Sequence, residues 1–230
     1  MNSESFYSRT AALIGEEGIL RLQRASVAVF GLGGVGGYAA EALVRAGVGA
    51  VTLVDGDVFL ESNLNRQLFA LKSTLGKNKA EAAAARLSDI NGAAHIIVKP
   101  FFFNKETAGE FNFKDFDYVI DAIDSVADKV LLIETAQRNG TRIISSMGAG
   151  NKLRAEFKAG DIFETKGCPL ARVMRNNLKK AGVTRLKTVY SEVVSQKTEK
   201  CAGKRPPASI SYVPGICGLI LAGEVIRELL

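Results

Sequence analysis

Residues 26–36 read SVAVFGLGGVG, a β-branched segment that runs directly into a glycine-rich turn. Gly31, Gly33 and Gly36 fit the spacing G-x-G-x-x-G, with Gly34 inside it, and a segment with helical periodicity follows. Such a turn uses backbone angles closed to other residues and lets a phosphate approach the main chain at the positive end of a helix. The stretch predicts a strand, a tight turn and a helix around a bound nucleotide.

An acidic residue lies nineteen positions beyond the turn. Asp55 ends a second β-branched segment, AVTLVD, where its carboxylate can accept a hydrogen bond from a ribose hydroxyl. Dinucleotide dehydrogenases share this pattern, so the glycine turn and Asp55 do not tell which nucleotide binds.

The segment after Asp55 favours a nucleoside triphosphate. It places Asn63, Arg66 and Gln67 just after the second strand and Lys79 at the start of the next helix. Hydride transfer has little use for such a cluster, whereas a triphosphate needs cations and donors for oxygens that gain charge as pyrophosphate leaves. Taken singly, Arg66 and Lys79 would be interpreted as exposed surface cations; their combination carries the prediction.

The chain alternates β-branched runs with alanine-rich periodic segments, which predicts the α/β class. We expect a Rossmann-like, mixed and mostly parallel sheet flanked by helices, with a basic C-terminal extension. The predicted strands are 26–31, 50–55, 95–100, 117–123 and 142–147, and the predicted helices are 38–47, 78–91 and 125–140.

The alternation of β-branched runs with alanine-rich segments ends after Met147. A helix is predicted at 169–182 and a closing helix at 216–230, with strand-like pieces at 187–194 and 208–213 and a loop at 195–207. We interpret residues 1–230 as one domain, in which 1–150 form the nucleotide-binding half and 151–230 a basic, substrate-facing half.

Composition excludes several classes of protein. Three cysteines without a C-x-x-C pair argue against a disulfide framework or a structural zinc site. The single histidine, His95, lies in a strand-like stretch and is interpreted as a surface residue rather than a catalytic base. The longest apolar run, 212–223, is too short to span a bilayer, and no secretory signal is evident, so we expect a cytoplasmic location.

Basic charge is concentrated in one region. Residues 151–205 hold fourteen Lys and Arg against five Asp and Glu, within a chain of net charge +6. This distribution favours a polyanionic partner such as a nucleic acid, and a solvated basic face is the alternative. We expect the residues that contact this partner to be among eight cations of the region: Lys152, Arg154, Arg172, Arg175, Lys179, Lys180, Arg185 and Lys187.

Five motifs together resemble the superfamily of adenylating enzymes that contains ThiF, MoeB and the ubiquitin-activating enzymes. They are GLGGVG at 31–36, the pair Asp55 and Asp57, SNLNRQ at 62–67, Lys79 after Gly76, and DAIDS at 121–125. The resemblance is strongest over residues 1–150.

The resemblance implies ATP and Mg²⁺ as cofactors and a homodimeric enzyme. The implied nucleotide-binding residues are Gly31, Gly33, Gly34, Gly36, Asp55, Asp57, Asn63 and Gln67. The implied catalytic residues are Arg66, Lys79, Asp124 and Arg9, the last reaching the ATP of a partner subunit. Asp124 would hold the metal, with Asp121 as a candidate second ligand and a helix N-cap as the alternative role for Asp124.

Later segments resemble one branch of this superfamily, the tRNA threonylcarbamoyladenosine dehydratases. They are MGAGNKL at 147–153 and DIFETKGCPLARVMRNNLKK at 161–180. The branch closes the threonylcarbamoyl side chain of a tRNA adenosine into a ring, so the resemblance implies a tRNA substrate. Three alternatives stay open: activation of a ubiquitin-like sulfur carrier, with Cys201 as a thiol nucleophile; an NAD-dependent oxidoreductase; and a catalytically silent adaptor.

Overall fold

One sheet of seven strands organises the computed structural model, which describes residues 5–196 and 208–230. Its strands are β1 (Ser26–Phe30), β2 (Ala50–Val54), β3 (His95–Lys99), β4 (Tyr118–Asp121), β5 (Arg142–Ser146), β6 (Lys158–Asp161) and β7 (Lys187–Tyr190). They lie in the order β3-β2-β1-β4-β5-β7-β6, and every pair is parallel except β6 with β7. The predicted α/β class is confirmed, and the strand order reverses direction between β1 and β4, where open sheets of this kind bind ligands.

In the part of the chain that the structure describes, six α-helices cover the two faces of the sheet. They are α1 (Ser8–Arg24), α2 (Gly36–Ala46), α3 (Lys79–Ile90), α4 (Val126–Arg138), α5 (Pro169–Lys180) and α6 (Val213–Leu229). Local chemistry sets several of the helix ends. The side chain of Asn78 accepts hydrogen bonds from the backbone N–H groups of Ala80 and Glu81 at the start of α3, and Gly47 ends α2 with φ of 100°.

The five predicted strands and the predicted helices are all present, but three features differ from expectation. Helix α1 and strand β6 were not predicted: α1 contains Gly15, whose backbone is not helical, and β6 contains Gly160 and little apolar alternation. The strand predicted at 208–213 is wrong. The backbone of Ala208 pairs with Asn151 in a loop, and Val213 already begins α6. Most of the predicted loop, residues 197–207, lies outside the described residues.

The sheet separates two apolar cores. Side chains alternate along β1, so Val27 and Val29 face the core beneath α2, α3 and α6, whereas Ala28 and Phe30 face the core beneath α4 and α5. The second core is rich in aromatic rings, and the ring of Phe30 lies 5.2 Å from the ring centroids of both Phe103 and Phe111. Burial on both faces explains the continuous apolar sequence of the central strands.

Helix α6 packs closely against α2 and the glycine turn. A Cβ atom at Gly218 would lie 2.2 Å from the carbonyl oxygen of Val35, so the two backbones touch there. Pro214 in the first turn of α6 lies against Gly34. Among residues 5–196 and 208–230, no helix is both long and apolar enough to cross a bilayer.

The glycine turn is shaped by two close backbone approaches. Gly31 has φ of 86°, and a Cβ there would lie 2.7 Å from the carbonyl oxygen of Ala122. A Cβ at Gly36 would lie 1.8 Å from the carbonyl oxygen of Gly31, a distance that no side chain can occupy. At Gly33 the nearest atom would be 3.8 Å away, so that position has room.

Gly36→Ala therefore tests whether the turn is held by contact between backbones. We expect it to lower the free energy of unfolding by about 3 kcal/mol or more, because the turn must open to admit the methyl group. Gly33→Ala is the matched control and should change it by less than about 1 kcal/mol. Urea unfolding followed by circular dichroism measures both, and equal midpoints for the two variants would contradict the packing described.

Candidate active site

Three loops meet at the carboxyl edge of the sheet. The glycine turn follows β1, residues 55–57 follow β2, and residues 122–124 follow β4. Because these strands are neighbours and parallel, their loops rise on the same side, at the point where the strand order reverses. Most of the residues predicted to bind a nucleotide therefore lie at this edge of the sheet.

Asp55 fixes the shape of the glycine turn. One carboxylate oxygen accepts a hydrogen bond from the Leu32 N–H at 2.7 Å, and the other accepts one from the Asp57 N–H at 2.9 Å. Burial raises the pKa of the Asp55 carboxyl above its ordinary value, and the two N–H donors offset part of that rise. The sequence suggested a ribose ligand, and the structure adds a backbone-holding role that sequence reasoning missed.

Lys79 and Asp57 form an ion pair beside the turn. The Lys79 ammonium lies 2.8 Å from a carboxylate oxygen of Asp57. The lysine side chain is 8% exposed, whereas that of Asp57 is 58% exposed. The partner of the ammonium, Asp57, is thus largely exposed to solvent. This arrangement fits a lysine that can exchange Asp57 for the anion of a ligand.

The run SNLNRQ is brought against the glycine turn. The Gln67 amide nitrogen lies 3.8 Å from the position that a Cβ of Gly33 would occupy. The Arg66 side chain lies 3.4 Å from the corresponding position at Gly34. Arg66 is partly exposed and donates to the carbonyl oxygen of Ser62 and to the Asn65 side chain, both at 2.9 Å. Asn63 is buried and accepts a hydrogen bond from the Leu60 N–H at 3.0 Å.

Gln67 has an unsatisfied polar atom. Its side-chain oxygen is buried and has no hydrogen-bond partner among the residues that the structure describes. A buried amide group without a partner is costly, and a site that binds a polar ligand is one place where such a group is kept. Gln67 therefore fits its predicted role as a ligand-binding residue.

Asp121, at the end of β4, and Asp124, on the loop that follows, have different environments. Asp124 is exposed, and within the described chain it has no hydrogen bond or ion pair; Ser125, rather than Asp124, caps α4. Asp121 is fully buried, 2.9 Å from the Lys129 ammonium and 2.5 Å from the Ser145 hydroxyl. These contacts contradict the expectation that Asp121 shares a metal with Asp124. Nothing in the sequence marked Lys129, since a lysine in a periodic helix is ordinarily exposed.

The described residues contain no cluster of three or more His, Cys, Asp or Glu side chains that could hold a metal unaided. Mg²⁺ commonly uses only one or two carboxylates together with substrate phosphates and water. The exposed carboxylate of Asp124 at this edge fits that kind of site. Arg9 lies exposed in the first turn of α1, and its reach into a partner subunit stays a prediction.

Of the eight cations predicted to bind a polyanion, five are buried or bonded to other groups of the chain, and three are exposed without an ion pair in the described residues. Lys152 is buried, Arg175 donates to the carbonyl oxygen of Thr165 at 2.9 Å, and Lys187 pairs with Glu224 at 2.7 Å. Arg154 pairs with Glu156, and Arg185 lies 3.8 Å from Asp161. The remaining three are exposed on α5, where the helix has no acidic residue and the described chain offers them no ion pair: Arg172, Lys179 and Lys180.

Two cysteines are buried in the described chain and are unsuited to nucleophilic chemistry. Burial raises the pKa of the Cys217 thiol to about 12, despite a contact with the Ser146 hydroxyl at 3.8 Å. Cys168 precedes α5 and is 3% exposed. Cys201, the predicted candidate thiol, lies outside the described residues.

Comparison with known proteins agrees with this arrangement. The model of the ThiF family matches residues 7–230. The chain belongs to the ThiF family. A Bacillus subtilis relative named tRNA threonylcarbamoyladenosine dehydratase is 39% identical over 97% of this chain and 94% of its own length. The Escherichia coli protein of the same name is 38% identical over 75% of this chain and 65% of its own length.

Solved structures extend the likeness of this ThiF family member to the whole fold. The E. coli dehydratase TcdA in complex with AMP superposes with a TM-score of 0.91 at 31% identity, covering 100% of this chain and 96% of that one. The complex of the same enzyme with ATP superposes with a TM-score of 0.90 at 31% identity, covering 97% of this chain and 93% of that one.

Replacing Asp55 tests its hold on the turn. Asp55→Asn retains one acceptor oxygen for two N–H donors, so we expect the free energy of unfolding near neutral pH to fall by about 1–3 kcal/mol. Asp89→Asn, on the exposed side of α3, is the control and should change it by less than about 0.5 kcal/mol. Urea unfolding measures both.

The same variant has an expected pH dependence. The folded-state pKa of Asp55 is raised, so the folded chain binds the proton more tightly than the unfolded chain does. Stability contributed in this way is present in acid and is lost as pH rises through the folded pKa. The difference in free energy of unfolding between wild type and Asp55→Asn should therefore become smaller as pH rises through the folded-state pKa of Asp55, and a difference that grows would contradict this assignment.

Proposed function

We propose that this protein uses ATP to activate the carboxylate of threonylcarbamoyladenosine in tRNA and closes that side chain into a ring. The observation that carries the proposal is the set of contacts around the glycine turn at the carboxyl edge of the sheet. Gln67 and Arg66 lie against the turn, and Asp55 links it to the loop that holds the Lys79 partner Asp57. Asp124 is exposed on the neighbouring loop, whose Ala122 contacts Gly31. The dehydratase relatives span nearly the full chain, which supports the choice of substrate.

The chemistry requires activation because a carboxylate is a poor electrophile. A carboxylate oxygen attacks the α-phosphorus of ATP and pyrophosphate leaves, which forms a mixed anhydride. Attack on the acyl carbon from within the same side chain then expels AMP, and the net change in the nucleoside is the loss of one water. Holding both groups on one molecule favours the second step strongly over an intermolecular reaction.

Each site residue has a physical role in this scheme. The N–H groups of the glycine turn, at the start of α2, would bind a phosphate at the positive end of the helix. Lys79 and Arg66 supply the positive charge that pyrophosphate needs as it departs. Asp124 would hold Mg²⁺, which supplies charge neutralisation of the phosphates when bound. Asp55 would keep the turn in shape and offer its remaining lone pairs to a ribose.

The exposed face of α5 is proposed to bind the tRNA backbone. Arg172, Lys179 and Lys180 lie on a helix without acidic residues and retain their charge for an external anion. Phosphate contacts of this kind provide most of the affinity for nucleic acid and none of the base specificity. A tRNA substrate also implies a cytoplasmic enzyme.

We further propose a homodimer in which the partner subunit's Arg9 completes the nucleotide site. Activation of a ubiquitin-like sulfur carrier is the second candidate, since a relative named adenylyltransferase and sulfurtransferase UBA4, from Candida glabrata, is 34% identical over 64% of this chain. That match covers only 35% of the UBA4 protein, whereas the dehydratase match covers 94% of the Bacillus protein, which favours the tRNA reaction.

The reaction itself can be measured directly. Purified protein is incubated with magnesium-ATP and tRNA that contains threonylcarbamoyladenosine, and AMP release is followed together with the mass of the digested nucleoside. We expect AMP and a nucleoside lighter by one water, about 18 mass units. An unchanged nucleoside, with a relative of known activity proving the substrate competent, would reject the tRNA reaction and favour a protein carboxylate.

Lys79→Met tests the cation next to the glycine turn. It keeps the alkyl chain but removes the ammonium, and we expect the Kd for magnesium-ATP to rise tenfold or more, about 1.4 kcal/mol of binding free energy. Lys77→Met, an exposed lysine two positions away, is the matched control and should leave the Kd unchanged. Titration calorimetry measures both, and equal affinities would remove Lys79 from the site.

The tRNA surface is tested by paired charge removal. The double variant Lys179→Gln with Lys180→Gln should weaken tRNA binding. The slope of log K against log salt concentration should become less steep by about 1–2, since each phosphate contact contributes close to one to that slope. Lys105→Gln with Lys114→Gln removes two exposed lysines elsewhere and should change neither quantity. Filter binding across a salt series distinguishes the outcomes; equal slopes for both pairs would place the tRNA on another face.

A further inference from the structure

A fully buried ion pair lies directly beneath the loop that carries Asp124. Asp121 ends β4 and Lys129 lies in the first turns of α4, with both side chains 0% exposed and their charged atoms 2.9 Å apart. The Ser145 hydroxyl, on the neighbouring strand β5, donates to the same carboxylate oxygen of Asp121 at 2.5 Å. A second buried hydroxyl, on Thr188, donates to the Ser145 carbonyl oxygen at 2.6 Å.

The pair also binds both sides of one residue in the loop. The second carboxylate oxygen of Asp121 accepts a hydrogen bond from the Ile123 N–H at 3.1 Å, and the Lys129 ammonium donates to the Ile123 carbonyl oxygen at 3.0 Å. Ile123 immediately precedes Asp124. The donor and the acceptor of this residue are therefore both held by buried, charged groups, which form stronger hydrogen bonds than neutral groups do.

The other side of the loop contacts the glycine turn. The Ala122 N–H donates to the Phe30 carbonyl oxygen at 2.8 Å, and the Ala122 carbonyl oxygen lies 2.7 Å from the position that a Cβ of Gly31 would occupy. The loop is thus confined between the turn and the ion pair, while the Asp124 side chain projects into an exposed position. A hydrophobic pair could fill the same volume, but it could not bind the Ile123 backbone.

We propose that Asp121, Lys129 and Ser145 form a positioning unit that orients the Asp124 carboxylate for the reacting nucleotide. The three residues act through the Ile123 backbone and do not touch substrate. The role of Asp124 rests on the proposed function, whereas the hold on Ile123 does not, so the two parts can be tested separately.

The decisive variant combines Asp121→Asn with Lys129→Met. It removes both buried charges at nearly constant volume, which spares the fold the cost of a single unpaired charge. The amide oxygen introduced by Asp121→Asn can still accept from the Ile123 N–H, but the Ile123 carbonyl oxygen loses its donor. The matched control combines Glu41→Gln with Arg86→Met, which removes another acid–base pair, 2.7 Å apart, that joins α2 to α3 and does not contact the loop.

Amide hydrogen exchange of the ligand-free protein is the first readout. We expect exchange in residues 122–125 to quicken at least tenfold in the double variant and to stay unchanged in the control. Exchange at the wild-type rate in the double variant would overturn the proposed hold on the loop whatever the enzyme does.

Steady-state kinetics is the second readout. We expect kcat to fall tenfold or more while the Kd for ATP changes less than threefold, because the nucleotide cradle is intact and only the Asp124 carboxylate is misplaced. Faster exchange with wild-type kcat would overturn the link to Asp124. If wild-type protein shows no adenylation of any carboxylate, the proposed function fails, while the exchange result still decides the hold on Ile123.

Ser145→Ala provides the test if the double variant does not fold. It removes one hydrogen bond to Asp121 and keeps both charges. A threefold or greater fall in kcat with quicker exchange at Ile123 supports the positioning unit, and no change in either quantity overturns it.

Discussion

The carboxylate of Asp55 ties together the parts of the molecule that the site needs. It accepts the Leu32 N–H from the glycine turn and the Asp57 N–H from the loop after β2. The backbone carbonyl oxygen of Asp55 accepts a hydrogen bond from the side chain of Asn78, the residue that caps α3 and precedes Lys79. One acidic residue thus joins the glycine turn to the segment that carries Lys79. Because the carboxylate is buried, its N–H partners are what make its charge tolerable.

The elements that could be predicted from the sequence are those with a local cause. The central strands are apolar on both faces, and Gly31, Asp55 and Asp121 mark the ends of β1, β2 and β4, so the bounds of the strands can be predicted to within one or two residues. Gly31 and Gly36 were recognised because the spacing of a nucleotide turn is itself a backbone requirement. Helix α1 and strand β6 were not predicted: the non-helical backbone of Gly15 interrupts α1, and β6 contains Gly160 and little apolar alternation.

Contacts between residues far apart in the chain explain why other features could not be predicted from the sequence. The segment at 208–213 looks like a strand, but its first residue bonds to Asn151, which is more than fifty positions away and has φ of 59°. The basic third of the chain was recognised as a charge surplus, yet composition cannot tell that Lys187 is engaged by Glu224 and that Lys179 is not. Charge becomes evidence for a partner only when the acidic residues within reach have been located.

Two lysine–aspartate pairs show how burial, rather than distance, assigns a role. Lys79 with Asp57 and Lys129 with Asp121 are 2.8 Å and 2.9 Å long. In the first pair the aspartate is 58% exposed, so water can replace the lysine at its carboxylate, and such pairs contribute about 1 kcal/mol or less. In the second pair neither group reaches water, and removing one partner from such a pair costs about 3–5 kcal/mol.

In the proposed reaction, an arriving triphosphate would take Lys79 from Asp57 at little cost, because its own negative charge replaces the carboxylate. No ligand can reach Lys129, whose partners are fixed in the folded chain. The same two residue types supply an exchangeable cation on one side of the glycine turn and a permanent support on the other. In the proposed reaction, this division would let Lys79 exchange Asp57 for a phosphate while the backbone that carries Asp124 stays in place.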